Sequence, residues 1–79
     1  MTLFEAKTAR DYVIKGVFVE ETITRRLEAL GLNDGTILHI LTRKKNGALI
    51  IMVRGTRLAL GKHISSGIEI EEAEDSLHE

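Results

Sequence analysis

Two apolar segments, residues 36–45 and 48–54, meet across a single Asn46-Gly47 dipeptide, and this feature limits the fold most. Asn-Gly supplies the positive-φ residues of a tight reversal, so the flanking segments are expected to fold back as an antiparallel hairpin. A two-residue loop would pair Lys45 with Ala48, then Ile40 with Val53 and Leu41 with Met52. Strand alternation would set Leu38, Ile40, Leu49, Ile51 and Val53 on one face, and Ile37, His39, Leu41, Ile50 and Met52 on the other. Both faces are largely apolar, which is unusual for an antiparallel hairpin with one side in water.

Glycine punctuates the rest of the chain, and proline is absent. Residues 12–19 read as a first strand, with Gly16 breaking the alternation as a bulge would. Residues 22–30 read as a helix, because Ile23, Leu27 and Leu30 fall on one face. Thr22 is placed to cap its start, with Glu20 and Glu21 at the positive end of the dipole. Gly31 stands where a left-handed residue ends a helix, and Leu32 where it would pack back on Leu27. Asn33-Asp34-Gly35-Thr36 reads as a turn, with Gly35 at the position needing positive φ. Gly55 permits a tight reversal into a short strand over residues 57–60. Residues 61–67 read as a turn or short helix, and Ile68 and Ile70 alternate with Glu69 and Glu71 in a last strand. Leu3 and Phe4 are expected to form a lid on one end. The sum is one mainly β domain over residues 1–72, a small, partly open barrel of about five strands. One α-helix lies between the first and second strands, and closure would hide sticky edges.

A chain of 79 residues is near the lower limit at which a core alone holds a fold. It has no cysteine, so disulfides and thiolate metal sites are excluded. No signal peptide or membrane-spanning run is visible, and the expected location is the cytoplasm, without membrane insertion. The segment 71–79 holds five of the twelve acids and no lysine or arginine, which leaves a body of charge +4. Residues 73–79 are therefore read as an acidic, mobile tail, either simply solvated or shielding a basic face until a partner displaces it.

Chemistry is sparse. The nearest candidate for a phosphate loop, residues 55–63, has five residues between its glycines and His63 after Lys62. It fails the Walker spacing. His39, His63 and His78 show no ligand spacing and read as ordinary surface histidines; no metal or cofactor site is assigned. Ser65 and Ser66 beside His63 are a turn composition rather than a triad, so no catalytic residue is assigned. Arg25, Arg26, Arg43, Lys44 and Lys45 form a candidate basic contact surface that could track a nucleic-acid backbone. The aromatic residues are Phe4, Tyr12 and Phe18, and none adjoins the basic hairpin tip. Stacking is therefore missing, and nucleic acid is not the expected partner.

At this point two blocks become informative together. Arg26-Leu27-Glu28-Ala29-Leu30-Gly31-Leu32-Asn33-Asp34-Gly35-Thr36 resembles the RL-x-x-LGL-x-P-G signature of the FeoA family. Val53-Arg54-Gly55-Thr56-Arg57-Leu58-Ala59-Leu60 resembles its V-x-G-x-x-[IL]-A-L signature. Thr2-Leu3 and Ile68-Glu69-Ile70 resemble the opening and closing elements. Asp34 stands where the family usually has proline. The connection 7–11 lacks the usual Pro-Gly pair, and Ile50 and Met52 occupy positions that are commonly polar. The resemblance implies an SH3-like barrel and an accessory role beside FeoB, the membrane ferrous iron transporter with a soluble nucleotide-binding domain. The same barrel ends the iron-dependent repressors of the DtxR type, which also need a winged-helix domain that 79 residues would not hold.

The expected mechanism is protein–protein binding without catalysis. The rivals are a nucleic-acid-binding small barrel and a metal-responsive regulatory domain. Ile37, Leu41, Ile50 and Met52 form the candidate partner interface. They would be covered by the chain's own ends or helix, by a second copy in a homo-oligomer, or by the transporter. Gly31, Gly35, Gly47 and Gly55 are assigned to structural turns.

Overall fold

The computed structural model describes residues 1–73; the tail expected over 73–79 and His78 fall, from residue 74 onward, outside the described residues. A 3-10 turn, Leu3–Glu5, opens the chain. It is followed by β1 (Asp11–Val17), α1 (Glu21–Ala29), β2 (Ile37–Arg43), β3 (Leu49–Val53), β4 (Thr56–Leu60), the short helix α2 (Lys62–Ser65) and β5 (Ile68–Glu72). The five strands form one antiparallel sheet in the order β4-β3-β2-β1-β5, with β4 and β5 left at opposite edges. The sheet is mainly β and not closed, with one helix after the first strand, as expected from the sequence.

The sheet wraps a single apolar core. Tyr12, Ile14, Leu38, Ile40, Leu49, Ile51, Val53, Ile68 and Ile70 supply its strand side chains, all at most 1% exposed. Leu3 and Ala6 close one end and Leu27 and Leu32 enter from α1 and its cap, so the lid role of Leu3 is as expected. Arg43 ties the lid down. Its Nη2 donates to the carbonyls of Phe4 (2.7 Å) and Ala6 (3.0 Å). Its guanidinium also lies 5.1 Å from the Phe4 ring centre, with the Lys62 ammonium 5.3 Å from the same centre.

Helix α1 departs from the sequence reading at its start. It begins at Glu21 with Glu20 at the N-cap, and Thr22 lies inside the first turn rather than capping it. The Glu20 carbonyl takes the first helical bond from the Thr24 amide at 2.8 Å, while the Thr24 hydroxyl donates to the Val19 carbonyl at 3.2 Å. The end is as expected. The Leu32 amide donates to the Leu27 carbonyl (2.9 Å) and the Gly31 amide to Glu28 (3.0 Å), with Gly31 at φ +100°. That is a Schellman cap, and it drops Leu32 into the core. Leu30, expected on the inner face, is instead 42% exposed, because the helix ends one residue before it and Leu32 fills the space.

The β2–β3 hairpin corrects the expected register. Its loop has three residues, not two: Lys44 donates to the Ala48 carbonyl at 2.8 Å, and Gly47 donates to the Lys44 carbonyl at 2.9 Å. Gly47 at φ +94° completes a type I turn with a bulge, a form that the Asn-Gly signal also serves. Further along, the ladder shifts again between Ile40 and Thr42, so Ile40 pairs with Ile51 rather than Val53. Leu41 is the unpaired extra residue of a β-bulge, and Leu41 and Thr42 together oppose Ile50. A second bulge, between Ile14 and Gly16, interrupts β1 as expected. The β3–β4 turn has two residues, Arg54 and Gly55, at φ +50° and +79°, the form whose twist suits a hairpin.

Candidate functional site

Cross-strand partners share a face, so the register fixes what the outer side of the sheet presents. One row runs Arg57, Met52, His39, Asp11 across β4, β3, β2 and β1. A second places Ile37 beside Val13 and Glu71. A third sets Ala59 and Ile50 against Thr42, with Leu41 bulged beside them. Ile37 is 58% exposed, and Leu41, Ile50 and Met52 are half-buried. The four residues expected to share the outer face therefore do so. Both helices send their apolar side chains to the opposite, inner side, where Ile23, Leu27 and Ile64 join the core. Among the described residues, no element lies over the outer face.

The patch has relief. Leu41, Thr42, Lys44, Ile50 and Arg57 line a shallow depression whose surface is mostly apolar. Two cations thus stand at the rim of an apolar floor. Sequence reasoning found Leu41, Ile50 and Lys44 but missed Thr42 and Arg57. Thr42 joins because of the bulge, which a sequence pattern does not reveal. Arg57 was visible as the partner of Met52 only once the Arg54-Gly55 turn is fixed.

The basic residues do not act as one set. Arg25 pairs with Glu21 one turn earlier at 2.7 Å, and Arg26 sits exposed in the last turn of α1. Arg43 spends its guanidinium on the Phe4 and Ala6 carbonyls. It turns that way because the bulge reverses alternation beyond Leu41, pairing Arg43 with the buried Leu49. Lys44 and Lys45 remain exposed at the hairpin end. Of the aromatic residues, Tyr12 is 1% exposed, its hydroxyl accepting the Lys7 amide; Phe4, expected away from the basic hairpin, instead has its ring beside Arg43 of that hairpin and beside Lys62, because the opening turn folds against it. Phe18, 75% exposed, lies on the β1–α1 connection, not beside Lys44 and Lys45.

The described histidines are each engaged with one carboxylate. The His39 imidazole bonds Asp11 across β1 and β2, and His63 Nε2 donates to both Glu20 oxygens at 2.9 and 3.0 Å. The second contact holds the Glu20 carboxyl below its ordinary range, chiefly through that hydrogen bond. Among the described residues, no three His, Asp or Glu side chains converge as metal ligands would. No helix among them is long and apolar enough to cross a membrane.

Known proteins share this architecture. The FeoA domain pattern matches residues 1–72. A protein of Methanocaldococcus jannaschii, named "Putative Fe(2+) transport protein A", is 30% identical over 69 residues, spanning 87% of this chain and 83% of that one. The solution structure of FeoA from Chlorobium tepidum matches with a TM-score of 0.88 at 27% identity, covering 94% of this chain and 71% of its own. FeoA of Stenotrophomonas maltophilia, solved in complex with zinc and described as a prokaryotic SH3 domain protein, matches with a TM-score of 0.78 at 26% identity. That match covers 90% of this chain and 89% of the other. The open five-stranded sheet is accordingly of SH3-like form, and the chain belongs to the FeoA domain family.

Proposed function

We propose that this chain is a cytosolic, non-enzymatic accessory protein of ferrous iron uptake that acts by binding the soluble domain of an FeoB-type membrane transporter. Family membership supports the transport role. The observation that carries the binding mechanism is the outer sheet face, which holds Ile37, Leu41, Ile50 and Met52, with Leu41 and Ile50 in a depression rimmed by Lys44 and Arg57. Singly exposed apolar residues mean little, but four on two paired strands form a surface that water disfavours. Its chemistry suits a partner with an apolar ridge edged by acidic side chains. Binding is then the whole mechanism: the domain shifts the transporter's conformational equilibrium by preferring one of its states.

The test is a calorimetric titration of the purified chain into the purified soluble domain of an FeoB-type transporter from the same organism. Saturable binding with a negative heat-capacity change is expected, since that is the mark of apolar burial. Absence of any heat or co-migration with the soluble domain would contradict the proposal. Retention of nucleic acid, weakened by salt, would favour the rival reading instead.

A further inference from the structure

The two edges of the sheet are treated differently. The β5 edge is occupied: Thr2 bridges to Glu69, and the Ile70 amide donates to the Met1 carbonyl at 2.9 Å. Glu69, Glu71 and Glu72 add charge along it. The β4 edge has β3 on one side and, among the described residues, no strand on the other. It has no proline, no bulge, and no acid or lysine within Thr56–Leu60, and Arg57 is its one charge.

The Arg54-Gly55 turn determines which groups this edge offers. A two-residue turn of this form makes Val53 and Thr56 a hydrogen-bonded pair, so Leu58 and Leu60 also bond inward to β3. The amides and carbonyls of Arg57 and Ala59 therefore point away from the sheet. Both residues are exposed, while Leu58 between them is half-buried at the margin of the core.

We infer that β4 pairs antiparallel with β4 of a second copy of this chain, about a two-fold axis at Leu58. Its pattern is self-complementary. With Leu58 opposite Leu58 of the second copy, each Arg57 faces an Ala59, and the two pairs exchange four backbone hydrogen bonds. Leu58 and its counterpart then sit in the close, non-bonded register and cover each other's exposed part on the inner side. On the outer side, each guanidinium lies beside the small methyl of Ala59, which leaves it room. The contact is isologous and therefore closes as a dimer rather than growing into a fibre. It runs the two sheets into one and brings the Ile50–Met52 bands of both copies onto a common face, beside but not within the edge contact. The pairing needs no transporter, although Arg57 borders both surfaces.

Sedimentation equilibrium of the whole chain over a range of concentrations, with amide hydrogen exchange at both ends of that range, tests this. A monomer–dimer equilibrium is expected, with the Arg57 and Ala59 amides exchanging freely at low concentration and protected at high. Ala59→Pro removes a donor that the monomer's own ladder does not use, and should weaken self-association by about tenfold or more. A chain that stays monomeric throughout would overturn the inference. So would a dimer in which those two amides remain unprotected, or a folded Ala59→Pro chain that associates like the parent. Should Ala59→Pro fail to fold, the amide protection of the unaltered chain decides the matter.

Discussion

Ile50 and Ile51 are adjacent and identical, yet they belong to different parts of the protein's physics. Ile51 is 0% exposed and faces Ile40 and Leu58 across the inner side of the sheet. Ile50 faces Thr42 and Ala59 on the outer side and stays half-exposed. The inner face is held by packing from every strand, from α1 and from the opening turn. The outer face carries four apolar side chains along β2 and β3 against five on the inner, but no part of the described chain packs on it. The difference teaches that hydrophobicity in this small sheet serves two ends. On one side it makes the fold. On the other it is kept at some cost in solubility, which is understandable if something else covers it.

That contrast can be broken by substitution. The largest effect is expected at Ile51→Ala, which opens a cavity in a close-packed core and should cost about 3 kcal/mol, read as a fall in Tm of roughly 15 °C. Ile50→Ala should cost well under half as much. Equal losses would mean that the two faces are equally buried and that no open surface exists. Next comes the cap that delivers Leu27 and Leu32 to the inner face. Gly31→Ala places a Cβ at φ +100° and 2.7 Å from the Arg54 side chain, whose Nε reaches the Gly31 carbonyl. A loss of about 1–2 kcal/mol in denaturant unfolding is expected, and an unchanged midpoint would remove the role given to that cap.

A smaller effect of opposite sign is expected at Ala9, which holds φ +63° while its amide donates to the Ile40 carbonyl at 2.8 Å. The strained conformation should relax in Ala9→Gly and raise stability by about 0.5–1 kcal/mol, despite the greater freedom of glycine in the unfolded chain. A destabilised variant would contradict the strain. The smallest effect concerns the surface pair Glu20–His63. The Glu20 carboxyl is held below its ordinary value of 4.5. Its contribution to stability is therefore present above that value and lost as pH falls through the lower, folded one. His63→Leu should make the Tm slightly less sensitive to acid in that window, and an identical acid profile in both proteins would dismiss the contact.

Much of this was legible in the residues. Gly31-Leu32 announced the cap and Gly16 the bulge in β1, while the left-handed conformation of Ala9, in the connection 7–11 that lacks the usual Pro-Gly pair, was not expected. The inner and outer faces were also legible, although the hairpin register was not. The loop is one residue longer than expected and the Leu41 bulge adds a second shift, so the inner part of the ladder slips by two in total. A slip of two preserves strand alternation, which is why Ile40 and Ile51 still point inward. Between the loop and the bulge the slip is one, and there Arg43 turns to the inner side and clamps the opening turn instead of joining a basic surface. Nothing in the order of residues distinguishes a bulge at Leu41 from a regular strand. The start of α1 was misplaced for a similar reason: Thr22 and Glu20 are both plausible at a helix start, and the long-range contact with His63 is invisible along the chain.

The central claim is that the outer face is an interface and not part of the fold. The direct measurement is a titration of the Ile50→Lys, Met52→Lys double variant into the transporter's soluble domain, beside the unaltered chain and with thermal melts of both. The account predicts a melt close to that of the parent and a binding loss of about 3 kcal/mol, or more than a hundredfold, since two apolar side chains leave the contact. A double variant that unfolds would place these residues in the core, and a folded variant that binds the transporter like the parent would show that this face is not where the partner sits.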